Sequence, residues 1–166
     1  MKRFNRLLPL VVALWALPGW AVVERLDDSA SPRARAQAQI VLSEQGRPLA
    51  ESRGARIALL RFGTVEYRLA TTRYIGQRAR IHYVLPAQIR GLVSPAGLKV
   101  DWRGLGRFAS GSARPGDRTL VWSGVIREPW IVETIDLSMQ LDLRQLQMTG
   151  NSDFGFESYF EIETLP

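Results

Sequence analysis

The sequence of 166 residues contains no cysteine and one histidine, His82. Without cysteine there are no disulfides, no lipobox, no thiolate metal sites and no thiol chemistry, so the core must stabilise the fold unaided. One histidine cannot form a three-histidine zinc site, and no Gly-x-Ser-x-Gly elbow supplies a nucleophile. Calcium-loop and phosphate-loop motifs are also missing. We therefore expect no catalytic residues, no metal or cofactor, and a protein that is not an enzyme.

Long apolar runs are also missing, except at the N-terminus. Three basic residues precede the apolar segment 7–18, which the small residues Gly19 and Ala21 follow. This pattern predicts a signal peptide over 1–21 with cleavage after Ala21. The run is too short to cross a bilayer core of about 30 Å. We expect export to the periplasm or cell surface, without a membrane span in the mature chain. A cysteine-free exported domain favours a bacterial envelope.

Beyond residue 33, short segments alternate apolar and polar side chains, and turn signals separate them. The clearest is 131–143, in which Leu137 and Leu141 are predicted core residues; Glu133 interrupts its apolar face, as a bulge would. The glycine- and serine-rich stretch 103–117 is predicted to be a loop. The predicted strands are 34–42, 56–62, 65–74, 78–85, 98–102, 118–126, 131–143 and 154–165.

No convincing helix follows the signal peptide, so the pattern predicts an all-β fold. A β-sandwich or a barrel fits about eight antiparallel strands, and the sandwich is favoured because several strands differ in polarity between their two sides. We predict one sandwich domain over 34–166, preceded by a flexible mature N-terminus at 22–33.

Charge is distributed unevenly along the chain. Residues 22–127 contain 18 basic side chains against 8 acidic ones, whereas residues 128–166 contain 1 against 8. Cross-strand ion pairs between the two regions would neutralise much of this difference. The alternative is a polar molecule whose basic and acidic surfaces meet in head-to-tail association.

Ligand-binding candidates come from one tryptophan and one arginine-rich loop. Trp102 and Trp122 lie in apolar strand patterns and are predicted core residues, whereas Trp130 follows Pro129 and is predicted to be partly exposed. An exposed tryptophan can stack on a sugar or anchor a partner. The loop arginines could contact an anionic polymer, but no motif or strong net charge indicates nucleic acid. A core aromatic and a solvated loop are the alternatives. The loop arginines are Arg103, Arg107, Arg114 and Arg118.

The alternating segment 34–42 suggests a mode of association. Its apolar residues are mostly alanine, so it buries little area and would be held mainly by main-chain hydrogen bonds. Such a strand can dock on its own sheet or exchange into a neighbour. In outline the chain resembles a chaperone–usher pilus subunit: signal peptide, polar leader, alternating segment and sandwich. It lacks the cysteine pair and penultimate aromatic common in that family.

These features predict an exported, non-enzymatic structural or adhesive β-sandwich of the bacterial envelope. It would associate through strand edges with itself or with a protein partner. The alternative is a periplasmic binding module for a glycan or an anionic ligand, using Trp130 and the loop arginines.

Overall fold

A computed structural model describes residues 21–32, 38–147 and 154–166. The predicted signal peptide up to residue 20, and residues 34–37 of the alternating segment, lie outside these ranges. Nine strands lie within them, joined by turns and by short 3₁₀ helices of three residues each. The strands are β1 (Val22–Arg25), β2 (Ile40–Ser43), β3 (Ile57–Ala70), β4 (Arg78–Val84), β5 (Leu98–Gly104), β6 (Gly111–Ala113), β7 (Arg118–Val125), β8 (Trp130–Asp142) and β9 (Tyr159–Thr164).

The strands form two antiparallel sheets that pack face to face, which confirms the predicted sandwich. One sheet has the order β1-β9-β4-β7, and the other has the order β2-β3-β8-β5-β6. Aromatic side chains from both sheets meet in the core. The ring centroid of Tyr83 lies 4.8 Å from that of Trp102 and 5.2 Å from that of Phe160. Trp102 is buried as predicted, and Trp122 is partly buried against the same core.

Strand β8 shows why two-residue alternation predicted the core well. It is a central strand, and the residues of its inner face are buried from Ile131 to Leu141. Leu137 and Leu141 are both buried there, as predicted. Glu133 is not at a bulge, because its pairing with Tyr67 continues the regular register of β3 and β8. The irregularity lies in β3, between Arg61 and Gly63.

The N-terminal region differs from the prediction. Residues 22–33 were expected to be flexible, but Val22–Arg25 form β1 against β9. Leu26, only 2% exposed, joins the core. Its N–H donates to the carbonyl oxygen of Phe160 at 2.8 Å. The partner strand lies near the other end of the chain, so local periodicity carried no signal for this pairing.

Three other segments refine the predicted strands. The described end of the alternating segment forms β2 and docks on β3 of its own chain. The two segments predicted at 56–62 and 65–74 form one strand, β3, across its bulge. The stretch 103–117, predicted to be a loop, contains β6, which pairs with β5.

Strand pairing also accounts for the uneven charge. The acidic strand β9 lies between β1 and β4, beside basic side chains. Arg118 contacts Glu161 at 2.8 Å and Glu163 at 3.2 Å, and Arg80 contacts Glu163 at 3.7 Å. The predicted cross-strand neutralisation is therefore present. Each partly exposed pair contributes only about 0–1 kcal/mol to stability.

Candidate functional site

The structure does not bring the five predicted binding residues into one site. Trp130 begins β8 and is 42% exposed, in agreement with its predicted exposure. Arg103 pairs with Asp136 at 3.3 Å on the outer face of the five-stranded sheet. Arg114 donates to a backbone carbonyl oxygen, that of Ala96, at 2.9 Å.

Arg107 is a structural residue. Its Nε donates to Glu133 at 3.1 Å, and its backbone N–H donates to the same carboxylate at 2.8 Å. The N–H of Phe108 is a third donor, at 3.3 Å. Glu133, only 3% exposed, therefore anchors the connection between β5 and β6 from inside the sandwich.

Arg118 lies on the outer face of the four-stranded sheet, over His82. His82 lies on the outer face of β4, yet it is only 7% exposed because Arg118, Glu161 and Glu163 surround it. Burial, and then the positive charge of Arg118, lower the pKa of His82 below its usual value. Its Nδ1 is buried and has no hydrogen-bond partner among the residues that the structure describes. These contacts indicate a neutral histidine with a packing role.

A shallow depression of about 430 Å³ lies on the outer face of the five-stranded sheet. Register places Ser138 of β8 between Arg61 of β3 and Asp101 of β5. Asp101 is paired with Lys99 at 2.6 Å, and Asp136 with Arg103. Arg61 makes no ion pair within the described residues, although the carboxylates of Asp101 and Asp136 line the same depression. The lining residues are Arg61, Asp101, Arg103, Asp136 and Ser138, together with Trp102, whose side chain is buried in the core.

Sequence reasoning missed most of this depression. Its side chains come from three strands, and alternation places each residue on a face without saying which strands are neighbours. Trp130 lies on the same face, but six residues along β8 from Asp136, which is about 20 Å. Leu105 and Val132, both about half exposed, lie between them on that face. Trp130 and Arg103 therefore do not share one small-ligand site.

Open strand edges are the other candidate site. Strands β1 and β7 end the four-stranded sheet, and β2 and β6 end the five-stranded sheet. At eight residues β7 is the longest of these edge strands, whereas β1 and β2 have four residues each and β6 has three. From Thr119 to Val125, β7 contains no charged residue and no proline, which are the residues that usually protect an edge strand. Two features protect part of this edge: a bulge opposite His82, and the N–H of Ala109, which donates to the carbonyl oxygen of Val121 at 2.8 Å.

The second half of β7 leaves backbone groups unpaired. The N–H of Ile126 donates to the carbonyl oxygen of Gln77 at 3.0 Å, so the polar groups of Ile126 face the β4 side. These groups alternate in direction along a strand, so those of Gly124 also face β4. Those of Ser123 and Val125 point away, and no other backbone group within the described residues bonds to them.

Comparisons with known proteins identify no similar protein. No family model, no curated protein and no solved structure matches the chain. Over the described ranges, no cluster of three or more acidic or histidine side chains is placed to hold a metal ion. The same part of the chain has no helix long and apolar enough to cross a membrane.

Proposed function

We propose that this protein is an exported, non-enzymatic structural or adhesive component of the bacterial envelope that associates through strand edges. The observation that carries the proposal is β7, an edge strand of eight residues. Among the described residues its outer side bonds to the backbone only at Val121, whose carbonyl oxygen accepts from the N–H of Ala109 at 2.8 Å. Unpaired N–H and C=O groups on such an edge can receive an additional strand.

The energetics suit reversible association. Each net hydrogen bond contributes about 0.5–1.5 kcal/mol. Leu120 and Val125 are exposed on β7, so an added strand also buries apolar surface. A few bonds and a small apolar area support weak association of one pair, which many copies or a tethered partner would strengthen.

Site-specific cross-linking in the envelope tests this function. Because the chain has no cysteine, one introduced thiol can carry a photoreactive cross-linker at a chosen position. Ser123→Cys, Val23→Cys and Ile40→Cys place it on the edge strands β7, β1 and β2. Gln140→Cys, exposed on the central strand β8, is the control.

We expect edge positions to form defined adducts, identified by mass spectrometry as a second copy or as one envelope protein. Gln140→Cys should form none. If none of the three positions yields an adduct above the control, association through β1, β2 or β7 is refuted, and with it the proposal that rests on β7.

The alternative function, a periplasmic module for a glycan or anionic ligand, is favoured by the depression at Arg61. The Arg61 guanidinium, which has no ion-pair partner in the described part of the chain, can bind the carboxylate of a sugar, and Ser138 and the neighbouring carboxylates can accept hydrogen bonds from its hydroxyls. Calorimetric titration with oligosaccharides of uronic acid tests this. Arg61→Gln should weaken binding about tenfold, as loss of one charge-assisted contact implies. Arg78→Gln, on the other sheet, should not. Absence of binding, or equal binding by both variants, would exclude this function.

A further inference from the structure

The open half of β7 can pair with itself. Ser123 and Val125 both direct N–H and C=O away from β4, and Gly124 lies between them. In antiparallel pairing, opposite residues of this kind exchange both hydrogen bonds. A two-fold axis at Gly124 sets Ser123 opposite Val125 of a second copy, and the reverse.

We propose that β7 pairs antiparallel with β7 of a second copy of this chain, about a two-fold axis at Gly124. The two four-stranded sheets then join into one continuous sheet of eight strands. This inference rests on the proposed function, since it names the edge and the partner through which association takes place.

Three features of β7 favour a second copy as the occupant. The strand carries no charge from Thr119 to Val125, so self-pairing brings no like charges together. Gly124 meets Gly124 at the axis, so no two side chains are set opposite each other on the inner face there. The exposed Val125 meets Ser123, a small side chain that does not crowd it.

The fold of the monomer also restricts which residue can occupy position 124. A Cβ atom at this position would lie 2.9 Å from the Trp122 ring, which packs over the glycine on the inner face of the strand. The bare backbone at the proposed axis is therefore built into the fold of the monomer, before any partner arrives.

Register-specific disulfides test the pairing. In the proposed register the Cα atoms of Ser123 and Val125 of the second copy lie about 5.5 Å apart, within the range that a disulfide spans. Ser123 lies about 8 Å from Ser123 of the second copy, beyond that range. We expect a mixture of Ser123→Cys and Val125→Cys chains to form a disulfide-linked heterodimer. Either chain alone, or Val125→Cys mixed with Gln140→Cys, should form little.

Sedimentation equilibrium of the cysteine-free chain gives the second readout. Ser123→Lys places two positive charges near each other in the dimer and should raise its dissociation constant about tenfold, whereas Gln140→Lys should not. A dimer without the mixed disulfide and without sensitivity to Ser123→Lys overturns the β7 register. In that case the cross-linking at other edges still decides the proposed function. A chain that stays monomeric at high concentration and forms no mixed disulfide overturns pairing with a second copy.

Discussion

Glu133 holds Arg107 by two atoms, accepting from the backbone N–H at 2.8 Å and from Nε at 3.1 Å. The carboxylate lies on the inner face of β8, where the alternation of the strand calls for an apolar residue. It is tolerated because three donors satisfy it. The long connection between β5 and β6 is thereby tied to the centre of the five-stranded sheet.

Glu133→Ala should destabilise the fold by about 3 kcal/mol, because the N–H groups of Arg107 and Phe108 lose their acceptor. Urea unfolding followed by tryptophan fluorescence measures this change. Asp136→Ala is the matched control, since its pair with Arg103 is exposed and should contribute no more than about 1 kcal/mol. Equal losses in the two variants would show that the buried carboxylate has no special role.

Leu141→Ala should cost roughly 2–5 kcal/mol, since the side chain is buried between the sheets and its removal leaves a cavity. Thermal unfolding should show a lower midpoint. Gln140→Ala, one residue earlier on the exposed face, should stay within about 0.5 kcal/mol of the parent. An unchanged midpoint for Leu141→Ala would contradict the assignment of this face to the core.

The free energy of unfolding should fall as the pH drops from about 7.5 to about 5.5. The pKa of His82 is lowered in the fold, so in this range the unfolded chain binds the proton more readily than the folded chain does. The groups facing His82 are Arg118 and Arg80, which oppose its protonation, and Glu161 and Glu163, which favour it.

His82→Gln removes the titrating group and should reduce the fall in the free energy of unfolding between these two pH values. Denaturant midpoints measured at the two pH values would show this. It should also leave any binding activity nearly intact. The same slope in both proteins would assign the pH dependence to other groups. A loss of activity without a loss of folding would instead revive an enzymatic function.

Mature protein recovered from the envelope should begin at Val22, because cleavage is predicted after Ala21. Mass spectrometry of the intact protein measures this directly. The new terminus would then coincide with the first residue of β1, which pairs with Thr164. Recovery of mature protein that retains Met1 would contradict export by this route.

Alternation along the sequence was sufficient to predict an all-β sandwich and the inner face of β8. Side chains alternate between the two faces of a strand, so burial of one face requires an apolar residue at every second position, which can be read from the sequence. Strand β1 shows no such alternation, because it is short and lies at an edge. Its formation depends on a partner strand at the opposite end of the chain.

The sites depended on neighbours that are distant in sequence. Arg61 and Asp101 became neighbours of Ser138 only because β8 lies between β3 and β5. The four loop arginines were close in sequence, yet strand pairing separated them to different acidic or backbone partners. Composition and periodicity therefore determined the class of fold and much of its core. Tertiary structure determined which polar groups are buried, which meet, and which strand edge stays open, because hydrogen-bond pairing acts between strands rather than along them.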